Sequence, residues 1–139
     1  MVLNHIILSM FLVNSLVGWS VLSDVSFKLE YYEQFGQEIE IPVFGERLKA
    51  QEGRSFTVSG YFVPAEMEGN SIILSKLPYA SCFFCGGAGI ESVIEVQFAA
   101  EHRRFDLDEI VTVRGTLVLN DDDFEHLIFI LKDAREVQS

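Results

Sequence analysis

An all-β domain is the fold class that the sequence predicts, and three observations support it. Apolar residues recur at every second position in several runs after Arg54, which is the period of half-buried strands. Glycines interrupt two of these runs, as the corners of small barrels require. Five strands with a longer link after the third are typical of a five-stranded OB-fold-like Greek-key barrel, whereas a β-sandwich has about seven strands.

Composition narrows the range of functions. The chain has 139 residues, enough for one domain with a targeting segment, and 49% of them are hydrophobic, which excludes wholesale disorder. Lys and Arg number 10 against 21 Asp and Glu, for a formal charge of -11. Because nucleic acids and anionic membrane surfaces attract cationic proteins, we expect neither as a partner.

The first 23 residues are predicted to be a signal peptide or membrane anchor. Residues 1–23 contain no Asp, Glu, Lys or Arg, and the stretch from Ile6 to Leu22 is largely apolar. Small residues suit a cut before Asp24 or an earlier one after Ser20. A retained anchor and a buried core helix are the alternatives. The signal or anchor interpretation predicts an exported protein, periplasmic or membrane-anchored facing the periplasm.

Residues 24–54 are predicted to be an irregular N-terminal extension. They contain extended chain into Pro42, a turn at Gly45 and a short helical turn over residues 46–52. The OB-like domain follows over residues 55–139. Its five strands are predicted at residues 54–63, 70–77, 91–98, 110–119 and 126–137. The link at residues 99–109 has room for a short helical turn.

Cys82 and Cys85 are the most specific chemical feature. Two cysteines at this spacing, followed by glycines, supply half of a tetrahedral zinc site. They also match a thiol–disulfide redox pair, although no thioredoxin-like βαβ unit surrounds them. A third interpretation is a structural disulfide or two inert thiols, since so short a loop gains little from closure. Zinc or another transition metal is therefore the candidate cofactor, at Cys82 and Cys85.

Three aromatic residues, Tyr79, Phe83 and Phe84, surround the cysteines. They are candidates for a hydrophobic docking patch, and the alternative is that they plug one end of the barrel.

Residues 120–126, NDDDFEH, join the last two strands. They are either a solvated turn or an aid to cation binding. We expect this loop and the cysteine loop, residues 78–90, to lie at opposite ends of the barrel, which makes His126 an awkward partner for the cysteines. Residues 101–109 are expected to form a solvated turn with local ion pairs.

No arrangement of residues matches a catalytic nucleophile or phosphate loop, so no catalytic residue is assigned and the protein is not expected to be an enzyme.

Several marks together resemble a family of small exported bacterial proteins of unknown function that have a predicted OB-like domain. The marks are Pro42-Val43-Phe44, Gly60-Tyr61 with Pro64, Pro78-Tyr79, and the loop with Cys82 and Cys85, and the resemblance spans residues 38–137. Many relatives carry a G-A-C-I-H-type loop where this chain has S-C-F-F-C-G-G. Some relatives resemble accessory proteins encoded near zinc-uptake transporters.

The sequence and this resemblance together predict an exported OB-fold binding or accessory module of the bacterial cell envelope, with a transition metal held by Cys82 and Cys85. Its expected partner is an envelope transporter or another exported protein, and a shared metal would give a homodimer. A redox protein using Cys82 and Cys85, and a metal-free assembly module, are the alternatives.

Overall fold

The computed structural model describes residues 16–82, 86 and 88–138. These residues contain seven strands: β1 (Val25–Tyr32), β2 (Gln37–Phe44), β3 (Ser55–Val63), β4 (Ser71–Ser75), β5 (Val93–Phe98), β6 (Ile110–Leu119) and β7 (Phe129–Glu136). The last five form a closed barrel in the order β3-β4-β5-β7-β6, with β6 paired back to β3. Of the neighbouring strands in this barrel, only β5 and β7 run parallel. This order confirms the predicted OB-like barrel.

The barrel interior follows the predicted alternation. Alternate residues of the strands, among them Val58, Leu74 and Ile94, are fully buried in the main core. The pairing of β6 with β7 shifts register between Arg114 and Thr116. A side chain at the intervening Gly115 would place its Cβ 2.6 Å from the Lys132 carbonyl oxygen, so this bulge requires glycine.

The chain before β1 packs onto the barrel. Residues Trp19–Leu22 form one helical turn, α1, in which Trp19 is 4% exposed and Leu22 is fully buried. The Trp19 Nε1–H donates to the Ser59 carbonyl (2.7 Å), and the Ser59 N–H donates to the Val17 carbonyl (3.0 Å). The end of the predicted leader is therefore packed as a buried core helix would be, which was the alternative interpretation of this segment. A cut before Asp24 would remove both buried side chains.

The rest of the predicted leader, residues 1–15, lies outside the described residues. No helix in the described part of the chain has the length and apolar character needed to span a membrane.

Residues 24–54 differ from the irregular extension predicted for them. They form the antiparallel hairpin β1–β2, followed by the helical turn α2 (Glu46–Lys49) near its predicted position. The Asp24 carboxylate accepts the N–H groups of Arg47 (3.0 Å) and Leu48 (3.2 Å). These are N–H groups of the first helical turn, which have no partner within the helix, so Asp24 ties the start of the hairpin to its end.

A second, smaller apolar cluster covers the outer face of β3, β4 and β5. Val63, Ile73, Cys82 and Val93 form it, with Met67, Ile90 and Leu127 packed against it. Because loops cover this face, β4 is buried on both sides and lacks a clear alternation.

The link at residues 99–109 contains no helical turn. Arg103 binds the carboxylates of Glu109 and Glu136, with its Nε 2.7 Å from Glu136 Oε1. The hydrogen bond from Arg103 holds the pKa of Glu109 below its usual range. The ion pairs are exposed as predicted, but one partner comes from β7 and is not local.

Candidate functional site

A cleft of about 590 Å³ lies between the β1–β2 hairpin and the end of the barrel where β5 and β7 begin. Its walls come from three segments that are distant in sequence. They are β1 and β2 (Phe27, Ile39, Glu40, Ile41, Pro42), the link before β5 (Gly89, Ile90, Glu91) and the loop before β7 (Asn120, Asp121, Asp122, Asp123, Phe124, His126, Ile128).

Apolar side chains form much of the cleft. Ile41 is 5% exposed and Pro42 is also buried, while Phe27, Ile39 and Ile128 are half-buried. Half-buried apolar side chains around an open cleft retain surface that a bound apolar group would remove from water.

Carboxylates surround this apolar surface. Glu40, Glu91 and residues 121–123 line the cleft, and the described lining contains no lysine or arginine. Glu40 and residues 121–123 are exposed, so their charges stand in solvent around the opening. A partner that entered would therefore meet a negative potential, which favours a positively charged group.

Asn120 fixes the acidic loop. Its side chain is 8% exposed, and its Nδ2 donates to the carbonyls of Asp123 (2.7 Å) and Leu127 (3.1 Å). Its Oδ1 accepts the Asp123 N–H at 2.9 Å. Asn120 thus satisfies several backbone groups of this tight loop, and the Asp123 carboxylate adds a further bond by accepting the Glu125 N–H at 3.0 Å.

Glu95, which is buried, and His126, which is exposed, form a pair that anchors the acidic loop. Glu95 is 2% exposed, and its Oε2 lies 2.8 Å from His126 Nδ1 and 2.7 Å from the Gln97 Nε2 that donates to it. The hydrogen bond to Glu95 raises the pKa of His126, and the charges of Glu95, Asp123 and Glu125 act in the same direction. The imidazolium thus neutralises a carboxylate that is otherwise out of water.

An aromatic group holds the tip of the hairpin against the acidic loop. The ring of Phe124 meets Tyr32 edge-on at 5.2 Å between centroids and Phe35 at 5.5 Å. Edge-to-face pairs at this distance stabilise contact beyond simple burial. The position of the hairpin, and with it one wall of the cleft, therefore depends on this loop.

The candidate residues from the sequence lie elsewhere. Cys82 is fully buried in the second apolar cluster, while Cys85, Phe83 and Phe84 lie outside the described residues. Tyr79 is 38% exposed, and its N–H donates to Asp108 Oδ1 at 2.8 Å. Among residues 16–82, 86 and 88–138, no three His, Cys, Asp or Glu side chains are grouped as a metal site requires.

The expectation that the two loops lie at opposite ends of the barrel was wrong. Gly89, Ile90 and Glu91, at the end of the cysteine loop, share the cleft with residues 120–126. Because β5 and β7 run parallel, the segments that precede them reach the same end of the barrel. The sequence argument overlooked this parallel pair.

The cleft residues of the hairpin were also missed, although the sequence carried a signal for them. Apolar residues alternate at Phe27 and Leu29, and again at Ile39 and Ile41, and a short link ending in Gly36 separates the two runs. Such a pattern is typical of a hairpin with a four-residue connection.

Comparison with known proteins gives no relative: no family model matches the sequence, and no curated protein or solved structure is significantly similar to it.

Proposed function

We propose that the protein is a non-enzymatic binding module that receives a positively charged, partly apolar group in the cleft between its hairpin and its barrel. One observation carries the proposal, namely the apolar surface of Phe27, Ile39, Ile41 and Ile128 under a rim of carboxylates that has no lysine or arginine. The apolar part of such a ligand would be stabilised by leaving water. Its positive charge would favour this site over other apolar surfaces.

The proposed setting is the one that the sequence indicates. We place the module in the bacterial cell envelope as an exported accessory protein, with a transporter or another exported protein as its partner. The barrel would serve as a rigid frame, because Asn120 and the Glu95–His126 pair fix the loop that carries much of the rim.

Two small probes test the proposal. Phenethylammonium and phenethyl alcohol have nearly the same shape but differ in charge, and each is titrated into the isotope-labelled full-length protein. We expect the ammonium to shift the amide signals of Ile39, Ile90 and Ile128 at lower concentration than the alcohol, and to lose this advantage at high salt. Equal responses to the two probes, or shifts confined to other surfaces, would overturn the proposal.

A charge-matched pair of variants locates the effect. Glu91→Gln with Asp121→Asn removes two rim charges, and Glu33→Gln with Glu66→Gln removes two exposed charges outside the cleft. We expect only the first pair to weaken ammonium binding, by about three- to fivefold, as exposed ion pairs allow. The same loss in both pairs would show that net charge, and not the cleft, attracts the probe.

Metal binding at Cys82 and Cys85 stays a prediction, as does a redox role for the same pair. Full burial of Cys82 among Val63, Ile73 and Val93 supports a packing role for that thiol and means that a redox reaction would have to start at Cys85. Elemental analysis of the reduced protein and of Cys85→Ser tests the metal directly, since a ligated ion would be lost in the variant.

A further inference from the structure

The cleft runs along the free edge of strand β2. Ile39 and Ile41 lie on one face of this strand, Glu40 and Pro42 lie on the other, and all four line the cleft, whereas β1 contributes only Phe27. Side chains alternate between the two faces of a strand, so a surface lined by both faces lies beside the strand's edge.

Pro42 shows which backbone groups of β2 point to that edge. Proline has no N–H, so Pro42 and its partner Phe27 cannot exchange two hydrogen bonds and form a non-hydrogen-bonded pair. The bond from the Gly45 N–H to the Asp24 carbonyl (2.8 Å) fits the same alternation. Two residues before Pro42, Glu40 also belongs to a non-hydrogen-bonded pair, so its N–H and C=O point away from β1.

These outward groups are open to pairing. Within the described chain, no backbone group outside the hairpin bonds to the N–H or C=O of Glu40. Among the strands of the described residues, β2 pairs only with β1, in a two-stranded sheet that is separate from the barrel. An unpaired edge of this kind is a template for an additional strand.

We infer that an extended segment of a partner protein, with basic and apolar residues in alternation, adds to the edge of β2 at Glu40. The inference rests on the proposed function and names its ligand class. An added strand would place its basic residues beside Glu38 and Glu40 on one face, and its apolar residues beside Ile39 and Ile41 on the other. A second copy of this chain fits poorly, because it carries a formal charge of -11 and would bring further carboxylates to the rim.

A synthetic peptide is the probe. It alternates lysine and valine over 8 residues, the length of β2, and is acetylated and amidated. The control peptide has the same composition with all lysines first and all valines after. We expect the full-length protein to bind the alternating peptide about tenfold more tightly, because only alternation serves both faces at once. Equal binding of the two peptides would overturn strand addition.

Backbone methylation separates strand pairing from general attraction. Methylating every lysine amide blocks one edge of the peptide strand, and methylating every valine amide blocks the other. Since only one edge can face β2, we expect one methylated peptide to bind and the other to lose binding. Equal effects of the two modifications would overturn strand addition.

A protein variant tests the same edge from the other side. Glu40→Pro removes an outward N–H that β1 does not use, while Glu40→Ala removes the same carboxylate and keeps the N–H. We expect Glu40→Pro to bind the peptide about fivefold more weakly than Glu40→Ala, the value of one hydrogen bond. If Glu40→Pro does not fold, the methylated peptides decide alone.

The outcomes for the two proposals are distinguishable. Binding of phenethylammonium in the cleft, together with equal effects of the two methylations, overturns strand addition and leaves the proposed function standing. No binding of either probe overturns both. A dimer that the peptide dissociates, seen by sedimentation, would assign the edge to a second copy and overturn the inference.

Discussion

Replacing Leu22 with alanine tests whether the segment before the hairpin belongs to the folded core. Leu22 is fully buried in the main cluster, and removing a buried leucine side chain costs about 3 kcal/mol in lost transfer energy and cavity formation. For a domain of this size, that change lowers the melting temperature by about 12 °C. Val17→Ala is the control, because the Val17 side chain is 53% exposed and only its backbone binds the barrel. We expect it to change stability by less than about 0.5 kcal/mol.

Urea unfolding of the full-length variants provides the measurement. The chain has one tryptophan, Trp19, which lies in the same core and is not replaced by either substitution, so its fluorescence reports unfolding in both variants. If Leu22→Ala unfolds at the same urea concentration as Val17→Ala, then α1 does not contribute to the core and the reasoning fails.

A truncation extends the same test. A chain that starts at Asp24 lacks both Trp19 and Leu22, which together contribute about 7 kcal/mol. Since domains are stable by only about 5–15 kcal/mol in total, we expect this chain to be largely unfolded, and a chain starting at Leu16 to be folded. Equal stability of the two chains would contradict the assignment of residues 16–23 to the core.

Three further predictions concern the frame of the cleft. Because the pKa of His126 is raised, its contribution to stability is complete below about pH 6.5 and is lost as the pH rises through its pKa in the folded protein. Urea midpoints measured across this pH range should show the loss in the native protein but not in His126→Gln. Asp24→Ala leaves two N–H groups of α2 without an acceptor and should lower the free energy of unfolding by about 1 kcal/mol in urea titrations, whereas Ser26→Ala, at an exposed position, should not. Phe124→Ala removes the aromatic contacts of the hairpin tip and should speed amide exchange at residues 32–37 by about tenfold, with barrel amides unchanged.

The barrel could be predicted from the sequence because its strands carry their own pattern. β6 was predicted at the residues where it occurs, since Val111, Val113 and Leu117 alternate with polar residues and face a core. The burial of Glu95 could not be predicted in this way. Its position opposite Ile94 and Val96 was correctly inferred, but the His126 that covers it follows 31 residues later. The alternation within a strand shows which face of the sheet a residue occupies. It does not show which loop from elsewhere in the chain covers that face.

The cleft was missed for a related reason. Its walls come from a hairpin, a link and a loop that are far apart in sequence, and only the parallel pairing of β5 and β7 brings the link and the loop together. Once a parallel pair is assumed, the meeting of residues 89–91 with residues 120–126 follows from strand direction alone. The strand order, more than any single motif, was the missing information.

The place of β7 in the barrel also governs when this protein can fold. β7 lies between β5 and β6, and it is the last of the five barrel strands along the chain. Until that strand has left the ribosome, the barrel stays open and the pocket for Trp19 and Leu22 is incomplete. Closure then depends on contacts between distant parts of the chain, which form slowly. The barrel strands that are made earlier should therefore stay unfolded until β7 follows, a state in which chaperones can still act on them.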